Sequence, residues 1–327
     1  ATTSVAAHAG IQWWGAHRAG LTLVPRAGWR DPEVRALSTV ALPSLGVAAL
    51  IGLRYLAVLV VAGAIPGGVV AFTMAVNFLN LPVALGAKPV AAAQLPRLAR
   101  LTLERRLETF RDEWAQGLGL AFFLTAPAAV AYLALCQPLS EAVAFGAMAT
   151  SDGVRLIAVS LASVSFGVLG EAVFIVNTSA AYALADAGAP LRAMLVRTAV
   201  TLPGMAAALA LADGPAVLVV LGLSLTAGDL AQAVAFSRHL VARLPRGRAV
   251  IVGPLARSLA AAALMVVPAG MIAWAAPGDD PGRAVQVGWT LAAILAGLAA
   301  FLGLQRLWHA PEPRQLLAGI RRGAATA

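Results

Sequence analysis

The stretch that decides the fold is "GGVVAFTMAVNFLNLPVALGAKPVAAAQLPRLAR", residues 67–100. It is mostly apolar and longer than the roughly 20 residues that a helix needs to cross a bilayer. It also contains three prolines spaced seven residues apart, Pro82, Pro89 and Pro96. Each proline removes a helical hydrogen bond and bends or interrupts the helix. An interrupted helix is tolerated at membrane depth where it is buried in protein or lines a cavity, so the stretch predicts a distorted transmembrane helix beside a cavity.

The composition of the whole chain indicates an all-α integral membrane protein. Of its 327 residues, 60% are hydrophobic and 12% are charged, whereas soluble domains are about 25% charged. Eight apolar segments have the length of a transmembrane helix. These predicted spans are 37–61, 66–96, 115–135, 154–182, 191–211, 215–237, 251–276 and 285–305.

The sequence shows no pattern typical of a metal site, an enzyme active site or a nucleic-acid-binding protein. The single cysteine, Cys136, excludes an intrachain disulfide and a cysteine-based metal site, and the four histidines lack metal-ligand spacing. The net charge of +9 comes from arginines in short connections between the apolar spans, a distribution typical of membrane topology. We therefore expect no cofactor, no metal, no nucleic acid and no enzymatic activity.

The connections between spans alternate in charge. Arginines concentrate before the first span, after the second, fourth and sixth spans, and in the tail, while "PGDDPG" at 277–282 is expected to be an external turn. The positive-inside rule then places both termini in the cytoplasm. Residues 98–114, "LARLTLERRLETFRDEW", put apolar residues on one helical face, which predicts either a helix at the cytoplasmic interface or a solvated linker helix.

Four charged residues lie well within the predicted spans: Arg54, Lys88, Glu171 and Asp229. Each would cost about 2.5–3.5 kcal/mol near the bilayer centre, so each is expected to face a partner or water. At about 1.5 Å per residue, the last three lie at a similar depth, which permits a pair between Lys88 and one of the carboxylates. Arg54 lies at about the depth of Asn77, and the two are expected to share a polar cavity. An ion pair that only fixes helix register remains the alternative.

Three stretches of the sequence resemble a known protein family. The stretch 67–100 is similar to the eighth-helix region of the MurJ (MviN) lipid II flippases, including its proline steps at Pro82 and Pro96. "AYALADAGAP", residues 181–190, resembles the family motif at the cytoplasmic end of the tenth helix, through Tyr182, Asp186 and Pro190. "RDPEVRALSTVALPSLGV", residues 30–47, resembles the start of the seventh helix.

The resemblance implies the C-terminal part, helices seven to fourteen, of a fourteen-helix transporter of the multidrug/oligosaccharidyl-lipid/polysaccharide flippase superfamily, which includes the MATE carriers. We expect that the N-terminal lobe of such a transporter is missing from this chain and acts as its partner. The implied organisation is 1–36 as the end of a preceding helix and a cytoplasmic connection, 37–241 as the six-helix C-terminal lobe, 250–308 as two additional transmembrane helices, and 309–327 as a cytoplasmic tail.

The implied function is the outward transport of lipid-linked peptidoglycan precursor, lipid II, across the bacterial inner membrane by alternating access. In the family, a cationic cavity receives the anionic headgroup, and the last two helices form a groove for the lipid tail. Membrane lipids and other cell-wall synthesis proteins are the further partners that the resemblance suggests.

One departure from the family concerns the cavity. Where the family often has an Asp-Arg pair, this sequence has Val76 and Asn77. We therefore expect Arg54 and Lys88 to supply the missing charge, with Asn77 and Asn80 also lining the substrate site. Glu171 and Asp229 are expected to form ion pairs or to couple transport to an ion, in which case another exporter of the superfamily is the alternative. A membrane scaffold without transport is the second alternative.

Overall fold

The computed structural model describes residues 2–20, 32–245, 252–275 and 282–313. Within these ranges the chain is helical and has no strand. The predicted connection at 21–31, most of the external turn, and the tail from residue 314 lie outside the described residues. The helices are α1 Thr2–Arg18, α2 Pro32–Ala62, α3 Gly68–Pro82, α4 Lys88–Leu103, α5 Leu107–Ala134, α6 Cys136–Val143, α7 Ser151–Val164, α8 Gly167–Ala183, α9 Gly188–Leu211, α10 Ala216–Arg243, α11 Val252–Leu264, α12 Val266–Trp274 and α13 Arg283–Leu307.

Seven of the described helical segments are long and apolar enough to cross a membrane, and α7 and α8, which meet at a bend of 45°, make an eighth if the pair is one span. The predicted all-α membrane fold is therefore confirmed, with seven to eight candidate spans among the described helices. The bend itself was not expected from the sequence. The Ser163 carbonyl beside it accepts a hydrogen bond of 2.8 Å from the Thr226 hydroxyl, which satisfies a backbone group close to the break.

The second span is one segment, Gly68–Leu103, with a local distortion. Between α3 and α4, residues Val83–Ala87 form a π-helical turn, in which the Lys88 backbone N–H bonds to the Val83 carbonyl. Pro82 has no N–H to donate to the carbonyl of Phe78, four residues earlier. The Tyr132 hydroxyl of α5 donates to that carbonyl instead, at 2.9 Å, so a neighbouring helix satisfies the group that the proline leaves free.

The expected amphipathic helix at 98–114 is wrong in both of its forms. The span continues to Leu103, the chain turns at residues 104–106, where Arg105 has a left-handed backbone (φ 56°), and α5 begins at Leu107. The apolar residues at Leu98 and Trp114 are fully buried. They belong to the core between helices because the turn folds the two halves of the segment back against each other.

The chain divides at Leu42 into two compact units. In the first unit, Trp13 stacks on His17 with ring centroids 5.7 Å apart, and Arg18 lies 4.5 Å from the Trp14 ring centroid. In the second unit, α8 and α10 contact each other, and their buried residues are mostly small or aliphatic, with Phe174 packed against Phe236. This core positions the polar site described below.

Candidate functional site

A cavity of about 330 Å³ lies between α2, α3, α8, α9 and α10. Arg54 and Tyr55 of α2 form one wall, and Thr73, Asn77 and Asn80 of α3 form another. Its inner end is lined by Glu171, Arg197 and Asp229. The cavity therefore brings polar and charged groups from five helices together at membrane depth.

The four charged groups form one connected cluster. Arg197 Nη1 donates to Glu171 Oε2 at 2.8 Å, and Arg197 Nη2 pairs with Asp229 Oδ1. Arg54 Nη1 lies 3.6 Å from the same Asp229 oxygen. Two guanidinium groups face two carboxylates, so the cluster carries no net charge when all four are ionised.

Exposure separates the cluster into an inner and an outer pair. The side chains of Arg197 and Asp229 are 3% and 2% exposed, whereas those of Arg54 and Glu171 are 26% and 22% exposed. The inner pair is thus almost fully buried at the inner end of the cavity, whereas Arg54 and Glu171 are more accessible from it. Arg54 is the outer cation, and its distance of 3.6 Å to Asp229 is longer than the 2.7–2.9 Å of a strong charge-assisted hydrogen bond.

Two glycines allow the helices to bring this cluster together. A β-carbon at Gly170 of α8 would lie 2.5 Å from the backbone carbonyl carbon of Asp229, and one at Gly228 of α10 would lie 3.0 Å from the Arg197 carbonyl oxygen. Larger residues would push α8 and α9 away from α10. Close packing at glycine therefore fixes where the Arg197–Asp229 pair forms.

The predicted pair between Lys88 and Glu171 or Asp229 is wrong. Both carboxylates pair with Arg197, while Lys88 is exposed on α4 and makes no ion pair with any described residue. Arg197 is absent from the charged residues that the sequence places within the spans, because it lies near the arginine-rich start of its span. In the structure it lies nine residues into α9, about 13 Å along the helix.

The remaining predicted cavity residues fall into two groups. Arg54 and Asn77 share the cavity, as their similar depth suggested, and Asn80 lines it one turn further along α3. Lys88 lies outside the set of residues that line it. The contribution of any of these residues to substrate binding stays a prediction.

The motif at 181–190 forms a second charged cluster, at the turn between α8 and α9. Asp186 Oδ1 lies 3.0 Å from Arg192 Nη2, and Asp186 Oδ2 lies 2.8 Å from His239 Nε2 and 3.0 Å from Arg243 Nη1. Burial would raise the pKa of the Asp186 carboxyl, but the His239 hydrogen bond and the two arginine charges outweigh it and lower that pKa. Asp186 thereby ties the α8–α9 turn to the end of α10.

The other two residues of this motif, Tyr182 and Pro190, lie on either side of the same turn. The Tyr182 hydroxyl lies 3.4 Å from the Ser44 hydroxyl, and Pro190 is buried in the first turn of α9. Within the second span, Pro82 ends α3 and Pro96 lies inside α4. These four residues occupy structural positions around the cavity helices.

Comparison with known proteins gives consistent matches. The family model described as lipid II flippase MurJ matches residues 6–277. A probable lipid II flippase MurJ from Vibrio cholerae serotype O1 is 24% identical over 176 residues, which cover 54% of this chain and 34% of that protein.

The fold also matches a solved structure of lipid II flippase MurJ in an inward closed conformation. The TM-score is 0.67 at 16% identity, and the match covers 87% of this chain and 56% of the other. The chain thus spans between one third and somewhat over half of the length of these relatives. Since the family model covers most of the sequence, the chain belongs to the lipid II flippase MurJ family.

Proposed function

We propose that this chain takes part in moving lipid II, the lipid-linked peptidoglycan precursor, across the bacterial inner membrane, and that Arg54 binds the anionic headgroup. Family membership supports the transport of a lipid-linked substrate. The observation that carries the site assignment is the position of Arg54, which faces the cavity and is held only loosely by Asp229.

The arrangement of the cluster makes Arg54 available to an anion. Asp229 is buried and needs a close positive partner, since an unpaired buried charge is costly. Arg197 supplies that partner from the inner end of the cavity, where its side chain is almost fully buried. Arg54 can therefore turn toward a phosphate without leaving Asp229 unneutralised, and its guanidinium matches phosphate oxygens in a two-point geometry.

Asn77 and Asn80 complete the proposed site as neutral hydrogen-bonding groups. They line the same cavity and can donate to phosphate or sugar oxygens through their amide N–H groups. In this proposal Arg54 substitutes for the charge that the family's eighth-helix arginine would provide. Lys88 lies away from this cavity, so we assign it a smaller part.

In this proposal residues 37–241 act as the C-terminal lobe and 250–308 as two additional helices beside it. A second lobe would close the cavity, and rocking of the lobes would give alternating access. The arginine distribution supports cytoplasmic termini. Glu171 and Asp229 serve as counter-charges in this scheme, because a coupling cation would have to compete with Arg197 for the same oxygens.

The test is growth rescue in a bacterial strain depleted of its lipid II flippase, using the gene for this chain in its genomic form. The wild-type gene and Lys88→Gln should restore growth, and Arg54→Gln should not, at equal protein levels in the membrane. Loss of rescue by Lys88→Gln with full rescue by Arg54→Gln would contradict the site assignment. Failure of the wild-type gene would contradict the function.

A further inference from the structure

A second cavity, of about 490 Å³, is lined by residues of α5, α8, α10 and α11 and shares none of these described residues with the cavity that Arg54 lines, which we call the Arg54 cavity. Its floor is formed by buried residues of α5 and α8, Phe122, Leu169 and Val173. Its rim is formed by Leu230 and Val234, which are exposed on α10. We call this cavity the α10 groove. Its size falls within the range of about 300–1,000 Å³ that is typical of ligand pockets.

The α10 groove is lined mainly by apolar side chains. Ser237 and Arg238 are the polar residues of its lining. The Ser237 hydroxyl accepts a hydrogen bond of 2.9 Å from Asn177 and keeps its own O–H for another partner. Arg238 is exposed and forms no ion pair or hydrogen bond with any residue that the structure describes.

We propose that the α10 groove binds one anionic phospholipid of the membrane, with an acyl chain against Phe122 and Val173 and the phosphate at Arg238 and Ser237. This proposal does not rest on the transport function. An open apolar groove on a spanning helix is filled by the surrounding lipid, so the acyl chain needs no special affinity. Selectivity for the headgroup then comes from the charge of Arg238.

Charge complementarity favours an anionic lipid over a zwitterionic one. Arg238 lies five residues before the end of α10, about 7.5 Å along the axis. The described residues that line the groove include Arg238 and no acidic side chain, so its lining carries a net positive charge. An added choline or ethanolamine ammonium group would be repelled there, whereas a phosphate without one would be attracted.

The experiment measures the melting temperature of the purified full chain in detergent while phosphatidylglycerol or phosphatidylcholine is added. A ligand that binds only the folded protein raises the melting temperature in a saturable way. We expect phosphatidylglycerol to raise it well above the value with phosphatidylcholine. Arg238→Gln should weaken the apparent phosphatidylglycerol affinity about tenfold, the effect of losing one charge-assisted hydrogen bond.

Arg306→Gln is the matched control, because Arg306 is also exposed near the end of a spanning helix and lies outside the α10 groove. It should keep the phosphatidylglycerol effect. Val234→Trp should fill the groove and abolish the effect; if that variant is itself unstable, Leu230→Trp on the same rim replaces it. Equal effects of the two lipids, or an unchanged effect in Arg238→Gln, would overturn the proposal.

A third addition separates the bilayer lipid from a polyprenyl occupant. Undecaprenyl phosphate is titrated against the same variants. The proposal predicts that phosphatidylglycerol alone is sufficient for the Arg238-dependent effect. If only undecaprenyl phosphate produces an effect that depends on Arg238 and Val234, the groove takes a polyprenyl chain and the phospholipid proposal is wrong.

Discussion

Arg197 is the residue on which the buried cluster depends. It is the close partner of both Asp229 and Glu171, and two carboxylates at membrane depth would repel each other without it. Removing one partner of a buried ion pair leaves an uncompensated charge, which commonly costs about 3–5 kcal/mol. We therefore expect that loss of Arg197 alone destabilises the protein. Replacing Arg197 and its carboxylate partner together by neutral residues should be better tolerated.

We predict that Arg197→Gln lowers the free energy of unfolding by about 3 kcal/mol. Adding Asp229→Asn to this variant should restore a large part of the loss, because the buried unpaired carboxylate is then gone. Unfolding in mixed micelles with increasing denaturing detergent measures both changes. A double variant that is less stable than Arg197→Gln would contradict this role of the pair.

The sequence identified three of the four cluster members but not their pairing. Arg54, Glu171 and Asp229 stand out because they are charged residues inside apolar spans. Arg197 was missed because it lies close to the arginine-rich end of its span, where helix boundaries from hydropathy are uncertain by a few residues. Lys88 shares a depth with the carboxylates, but depth does not determine which face of a helix a side chain occupies.

At the scale of helices, α8 and α10 are held together by close backbone contact. Gly170 leaves no space for a side chain against Asp229, and the bend between α7 and α8 lies only a few residues away. The spans themselves were predictable because a run of apolar residues has a clear length requirement. The bend and the turn at Arg105 were not predictable, since they depend on contacts with other helices.

We predict that Gly170→Ala destabilises the protein by about 1–3 kcal/mol, because a methyl group must displace the Asp229 backbone. Gly303→Ala in α13 is the control: a β-carbon there meets nothing within 4 Å. It should be neutral or slightly stabilising, as alanine favours helix over glycine. The same unfolding assay compares the two variants, and equal stabilities would show that the α8–α10 contact is not tight.

The Asp186 cluster joins the α8–α9 turn to the end of α10, and the stability that it contributes should depend on pH. Because the folded-state pKa of Asp186 is lowered, its stabilising contribution is fully present above the ordinary aspartate pKa of about 4. The contribution is lost as the pH falls through the lowered folded-state pKa.

We therefore predict that Asp186→Asn is less stable than wild type at pH 7 and that the difference shrinks as the pH is lowered from 5 to below 3. Thermal unfolding at a series of pH values measures it. Asp213→Asn, outside this cluster, is the matched control and should show no such convergence. A difference that stays constant over the whole range would exclude a charge-based role for Asp186.

At the scale of the whole molecule, polar contacts join the last helices to one another and to α6. Arg257 of α11 donates to both carboxylate oxygens of Glu312, which follows α13, at 2.7 and 2.8 Å. Gln286 of α13 donates to Glu141, which lies in α6, at 2.6 Å. Leu255 of α11 also lines the α10 groove.

The two cavities give the molecule two distinct chemical surfaces. Apolar residues and a cluster of charged groups line the Arg54 cavity, whereas the lining of the α10 groove is mainly apolar and carries one arginine, Arg238. The first surface could be predicted, because residues 67–100 resemble a helix that lines the cavity in the family. The second was not predictable, because its lining comes from four helices whose contacts no sequence pattern specifies.

The most direct test of the central claim is equilibrium binding of undecaprenyl pyrophosphate to the purified chain, with undecaprenol as the uncharged reference. The proposed function predicts preferential binding of the pyrophosphate, weakened at least about tenfold by Arg54→Gln and much less by Lys88→Gln. Equal binding of the two lipids, or pyrophosphate binding that is unchanged in Arg54→Gln, would contradict the assignment of Arg54 as the cation that holds the substrate headgroup.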